Sequence, residues 1–147
     1  MVAQHFSRVL AEDRCAHVGI RGPLYSRKDL DDDKELGFAI VSTEEVARRG
    51  VDEAVDRVRS RVGDRPVYVS IDIDVLDPAH APGTGTPEPG GLTSRELLAT
   101  LRALDGVHLV GADVVEVAPA YDHAEITALA AATMVWEYLA LVGRRTN

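Results

Sequence analysis

The chain's 147 residues, 46% of them hydrophobic at a mean hydropathy of −0.06, suffice for one ordinary globular domain. A net charge of −8 and a pI near 5.0 speak against nucleic acid or an anionic membrane as partner, since both need a basic face; they suit a cationic small molecule or simply a solvated acidic surface. Cys15 is the only cysteine, which excludes a disulfide framework and a C-x-x-C site, and the polar start from Met1 to Arg14, with no membrane-length apolar run expected elsewhere, points to a cytoplasmic protein.

In chain order, helix patterns alternate with short apolar runs, the order of βα units on a mostly parallel sheet. Strands are expected near Ala16 to Ile20, Phe38 to Val41, Val67 to Asp72 and His108 to Val117. Val51, Ala54, Val55, Val58 and Val62 make one helical stripe, with Glu53 and Arg57 spaced to pair on the wet side. A second helix starts at Thr93, whose spacing to Glu96 is that of a capping box, and should bury Leu97, Leu98, Leu101 and Leu104. The last, from about Ala124 to Leu141, is apolar nearly all round, so most of its surface should be covered. No repeat, linker or low-complexity tract interrupts the chain, and a single domain over 1–147 is expected.

The stretch from Ser70 to Thr93, SIDIDVLDPAHAPGTGTPEPGGLT, carries the chemistry. Two carboxylates two residues apart end an apolar run and open into a rigid Pro/Gly loop. Residues i and i+2 of a strand share a side, so Asp72 and Asp74 can face one ion or an ion pair. Val67, Val69 and Ile71 alternate with Tyr68 and Ser70 as a strand should. Asp77-Pro78 then stops the strand, and the prolines and glycines from Pro82 to Gly91 leave the loop little freedom to lose. Further on, an ionised Glu116 among Val114, Val115 and Val117 is costly to bury unless something cationic meets it; a local arginine could, and so could a ligand. Asp113, of opposite parity, reads as structural.

A bare D-x-D is common, but the whole string from Ser70 to Leu92 resembles the signature of the ureohydrolases, the family of arginase, agmatinase and related guanidino-acid hydrolases. The resemblance extends to VGIRGPLYS (Val18 to Ser26), to Gly37-Phe38 and to DVVEVAPAYDHAEITAL (Asp113 to Leu129), and is strongest for the agmatinase branch. It implies a three-layer α/β/α fold with a mostly parallel sheet, of which this chain would be the C-terminal half. It also implies two manganese ions, with Asp72 bridging both and Asp74 binding one, and Glu116 orienting the substrate guanidinium. A planar guanidinium suits a bidentate carboxylate. Guanidinium carbon is a poor electrophile and neutral water a poor nucleophile; a pair of divalent ions makes hydroxide available near pH 7, and hard oxygen ligands with some imidazole favour manganese over zinc. The implied reaction is hydrolysis of a small cationic guanidine to urea and an amine.

The chain departs from the family in its ligand count. The Gly-Gly-Asp-His and Asp-Ala-His-x-Asp segments of a complete ureohydrolase do not occur, and none of His5, His17, His80, His108 and His123 has such a context. Gln4 to Leu10 resembles the helix after the family's catalytic-histidine loop, which places Val2 where that histidine should be and leaves His5 an exposed helix residue. Two ligands where a two-metal site needs about six make the isolated chain an expected non-enzyme, and a non-catalytic remnant or interaction protein is the alternative. A cut sheet would leave an open edge and apolar faces, so a homo-oligomer or self-associating fragment is expected. The strand ending in D-I-D-V also fits haloacid-dehalogenase-type phosphatases, but these need a downstream lysine, and Lys28 and Lys34 both lie upstream. Where an arginase has an aspartate for the substrate α-amino group, this chain has Gly22-Pro23-Leu24, which favours agmatine or a guanidino acid over arginine.

Overall fold

The computed structural model describes residues 10, 11, 13–24, 26 and 28–144, with the backbone alone at Leu30; the helix expected over Gln4 to Leu10, with Val2 and His5, lies almost wholly outside them. The described chain forms two compact units, residues 1–63 and 64–147.

In the first unit β1 (Cys15–Ile20) pairs in parallel with β2 (Phe38–Ser42), from Cys15 opposite Phe38 to Val18 opposite Val41, with a register break before Ile20. Between them runs α1 (Lys28–Glu35), and after β2 come α2 (Thr43–Arg49) and α3 (Val51–Val62). Ser42 and Glu45 close a capping box at the start of α2. Ala54, Val55 and Val62 of the expected stripe are buried. The pairing of Glu53 with Arg57 is not made. Arg49, one turn before Glu53, reaches it at 2.6 Å, while Arg57 crosses to Glu45 on α2 at 2.6 Å and so ties the two helices together. Arg61 hands its Nε–H to the Cys15 carbonyl at 2.6 Å and a second N–H to the Gly37 carbonyl, fastening the end of α3 to both strand starts.

The second unit carries the motif. β3 (Val67–Asp72) lies parallel to β4 (Leu109–Val115), and α4 (Ser94–Ala103) and α5 (Ile126–Arg144) pack with it. The alternation along β3 is visible in its exposure: Ile71 is buried, while Tyr68 is 59% exposed on the other face. That face is tied across the ladder by Asp113, which accepts from Tyr68 Oη at 3.0 Å and Ser70 Oγ at 2.6 Å. Thr93 and Glu96 close the expected capping box of α4, and Leu97, Leu101 and Leu104 are buried, with Leu98 half-buried. The unit's core gathers Ile73, Leu76, Ala81, Leu92 and Met134 around these leucines, all at most 3% exposed.

The last helix corrects the sequence reading three times. It begins at Ile126 rather than Ala124, because Ala124 and Glu125 sit in the left-handed region at φ 56° and 59°, a break before the first turn. It is long and apolar enough to cross a membrane by length and composition, since it holds few charges over some nineteen residues. And most of it is not covered. Thr127, Met134 and Leu141 are buried and the helix packs on β4 and α4, but Leu129, Trp136 and Leu139 are 70%, 72% and 56% exposed, because the described residues offer neighbours to one face only. Its mid-helix carboxylate, Glu137, is paired with Arg102 of α4.

Candidate active site

Asp72 and Asp74 come together, but not as two residues of one strand. β3 ends at Asp72, and Ile73–Val75 turn into a short 3-10 helix whose N-cap is Asp72: its Oδ1 accepts the Asp74 N–H at 3.1 Å. The turn rather than the pleat brings the two side chains close. Ile73, with no exposed surface, drives it, since it plugs the core at the point where the strand must stop. Asp74 is fixed from the far side of the loop by Thr86, whose hydroxyl donates to Oδ2 at 3.0 Å.

Glu116 lies just past the end of β4, not on the strand as the run to Val117 predicts. Its φ of 64° is left-handed, which breaks the pleat, and Glu116 is exposed rather than buried among the neighbouring valines. The next residue pairs with the loop: Val117 bridges Thr84 antiparallel, and the Ala118 N–H donates to the Gly83 carbonyl at 2.8 Å. So the Pro/Gly loop is stitched to the segment after β4, and Asp72, Asp74 and Glu116 gather at the same end of two neighbouring parallel strands. The Asp72 carboxyl registers this. Burial pushes its pKa up, the Asp74 N–H pulls the other way, and the negative charges of Asp74 and Glu116 add to the rise.

The loop's root is Asp77. Its carboxylate accepts the backbone N–H of Ala79 at 2.9 Å, of Gly90 at 2.8 Å and of Gly91 at 3.3 Å, bonds that hold its pKa below the usual range although burial opposes them. The main chain closes beside it, with Asp77 N–H to the Leu92 carbonyl and Leu92 N–H to the Val75 carbonyl, both at 2.9 Å. Gly91 is obligatory there, since a Cβ would stand 2.3 Å from the Asp77 nitrogen. On the other flank the Gly83 N–H bonds the buried Thr127 hydroxyl at 2.7 Å, and Asp122 accepts the N–H of Thr127 and Ala128, capping α5 and pinning it to the loop.

These contacts add Thr86 and Asp77 to the residues expected from the sequence. Thr86 had a signal, a hydroxyl in a loop fixed by prolines beside two carboxylates. The Thr84–Val117 bridge had none, because it joins short segments far apart in sequence. Among the described histidines, His17 stacks on Phe38 with ring centres 4.4 Å apart and faces Asp33 at 3.6 Å, and His80 Nδ1 lies 3.3 Å from Ser94 Oγ. Among the described residues no three His, Cys, Asp or Glu side chains come together in a way that could hold a metal ion. As cation ligands Asp72 and Asp74 are right in kind, two hard oxygen donors whose crowded negative charge a cation would relieve, and short in number.

Comparison with known proteins matches this architecture. The arginase family profile covers residues 1–140. The chain is 56% identical over 107 residues to an agmatinase of Escherichia coli, covering 73% of this chain and 35% of that one. It is 49% identical over 129 residues to a guanidinopropionase of Pseudomonas aeruginosa, covering 88% and 41%. In three dimensions it superposes on the crystal structure of a hypothetical agmatinase from Burkholderia thailandensis with a TM-score of 0.84 and 46% identity, over 94% of this chain and 41% of that chain. The chain thus spans about a third to two fifths of the length of these relatives. Its parallel strands, its helices and its motif are those of the arginase-like α/β fold, and the chain belongs to the arginase family.

Proposed function

We propose that this chain furnishes the carboxylate side of a ureohydrolase site, for the hydrolysis of a linear guanidine, agmatine or a guanidino acid, to urea and an amine. The gathering of Asp72, Asp74 and Glu116 at one end of β3 and β4 carries the reading. Asp72 and Asp74 would hold the divalent ions, for which their hard oxygens favour manganese; when bound, such ions supply a nucleophile from water at neutral pH. Glu116 would keep its charge for the substrate: its two oxygens can accept two N–H groups of the guanidinium and set the plane of that group. The Thr86 hydroxyl braces Asp74, and Asp77 ties down the far end of the same loop at Gly90 and Gly91.

Two ligands do not hold two ions, so the 147 residues alone release no urea, and the remaining donors come from ureohydrolase sequence outside them. The exposed Leu129, Trp136 and Leu139 favour self-association of the chain on its own.

Urea release decides the matter. With manganese and agmatine the isolated chain should give none, and urea lost in Asp72→Ala would overturn the ligand count. Supplied with the N-terminal segment of an agmatinase, the chain should hydrolyse agmatine or a guanidino acid. A reconstituted, manganese-loaded protein that hydrolyses neither would sink the reading and leave a non-catalytic role.

A further inference from the structure

The loop between Asp77 and Leu92 holds four glycines, and three have a reason in the backbone or the packing. Gly90 has a left-handed φ of 80°; a Cβ on Gly83 would stand 2.5 Å from the Asp122 Cβ, and one on Gly91 2.3 Å from the Asp77 nitrogen. Gly85 has neither reason. It is exposed, its φ is not positive, and a Cβ on it would meet a single group, Glu116 Oε2, at 3.8 Å, an ordinary contact distance. Any small side chain would fit the backbone there, and glycine loses more chain freedom on folding than alanine does.

The pairing explains what the bare position faces. Thr84 makes an isolated antiparallel bridge to Val117, and the residues next to the bridge, Gly85 and Glu116, come face to face. Glu116 is itself held at φ 64°, a conformation strained for a non-glycine residue that persists where the surroundings enforce it. A strained carboxylate thus confronts a position without a side chain, and among the described residues, chain neighbours aside, nothing else lies within 4 Å of where that side chain would begin.

We propose that Gly85 is a specificity-determining position: the side chain it lacks leaves open the space beside Glu116 Oε2 that the edge of a guanidinium occupies. This rests on Glu116 as the guanidinium anchor. A guanidinium nitrogen bonded to a carboxylate stands about 2.7–2.9 Å from the oxygen, and a methyl group 3.8 Å from that oxygen competes for the same shell. A longer side chain fills it. The position therefore admits the unhindered planar end of a guanidine and discriminates by bulk at its edge, while Glu116 discriminates by charge.

The test needs no turnover. Agmatine is titrated into the isotope-labelled, metal-free chain, with putrescine as the control that keeps the amine and lacks the guanidine, and the amide signals of Gly85, Glu116 and Val117 are followed. The variants are Gly85→Ala, Gly85→Leu and Glu116→Gln, each with its melting midpoint. Agmatine but not putrescine should give saturable shifts in the parent chain, several-fold weaker in Gly85→Ala, about tenfold or more weaker in Gly85→Leu, and absent in Glu116→Gln, with the Gly85 midpoints unmoved. Parent-like binding by Gly85→Leu together with its loss in Glu116→Gln overturns the role of Gly85 and leaves Glu116 as the anchor. A parent chain without saturable shifts, or Glu116→Gln binding as the parent does, overturns the anchor and Gly85 with it. Should Gly85→Leu lose the native spectrum, Gly85→Ala decides, and parent-like affinity in it overturns the proposal.

Discussion

Asp72 and Asp77 are chemically the same residue, five positions apart, at the two ends of the turn that leaves β3, and their surroundings push them in opposite directions. At the root of the loop Asp77 receives three backbone N–H groups, and its carboxyl is held low. At the mouth Asp72 shares its space with Asp74 and Glu116, and burial with those two charges pushes its carboxyl up. The root is satisfied by the chain itself; the mouth is in deficit of positive charge. A carboxylate that the fold fully satisfies supports structure; one that the fold leaves in deficit is, on the function proposed above, where a ligand would bind.

The largest effect that could break this division lies at Glu116. In chain reconstituted with an agmatinase N-terminal segment, Glu116→Gln should leave manganese content unchanged and lower kcat/KM by the cost of losing a charged partner, about 2–5 kcal/mol or roughly 30- to several-thousand-fold. Asp72→Ala should instead lose metal and turnover together. Near-full activity in Glu116→Gln at unchanged metal content would return Glu116 to a structural role and empty the mouth of its meaning.

At the root, Gly91→Ala forces a methyl group against the Asp77 backbone and should cost about 1–3 kcal/mol, the usual range for overpacking a site that cannot relax. Gly85→Ala, six residues away, should cost almost nothing. Chemical denaturation of the two variants side by side measures this, and equal losses would show that the loop is uniformly tight rather than clamped at one end.

How far the sequence discloses this division follows from the range of the interactions. β3 is legible because alternation is local, and α4 because Thr93 and Glu96 sit three residues apart. α1 escapes because KDLDDDKE has no apolar stripe to reveal it. α2 could have been found, since Ser42 and Glu45 repeat the capping-box spacing read correctly at Thr93. At the site, the D-x-D spacing points to Asp72 and Asp74, but the pleat argument misplaces Asp74, because the strand ends at Asp72, as its expected bounds have it, and Asp74 lies in the turn beyond. The left-handed Glu116 and its bridge to the loop depend on a contact between Thr84 and Val117 that no local pattern encodes.

The acid limb of stability separates root from mouth without any ligand. Asp77 is joined by Glu96, which the Thr93 N–H and hydroxyl hold low, and by Glu137, held low by Arg102. A carboxyl whose folded pKa is depressed stabilises fully above its unfolded pKa, about 3.9 for Asp and 4.3 for Glu, and loses that contribution as pH falls through the folded value. The midpoint of unfolding should therefore drop as pH falls below about 4, and Asp77→Ala, less stable than the parent at pH 7, should converge on it in acid. A difference that is the same at pH 7 and pH 3 would mean that the loss comes from packing and not from the charged acceptor.

The smallest effect has the opposite sign and is the sharpest test of the contrast. Asp72→Asn keeps the shape and the oxygen that caps the 3-10 turn, and removes one of three negative charges crowded at the mouth. In the metal-free chain at pH 7 the variant should be slightly more stable than the parent, because like charges held together by the fold oppose folding and the amide does not. The gain should be greatest at low ionic strength and shrink as salt screens the mouth, since Asp72 keeps solvent access although its carboxyl is partly buried among its neighbours. Thermal melts of Asp72→Asn and parent in low and moderate salt read it directly. If Asp72→Asn melts lower than the parent in both, the Asp72 carboxylate supports the turn more than its neighbours repel it, and the mouth differs from the root only in degree.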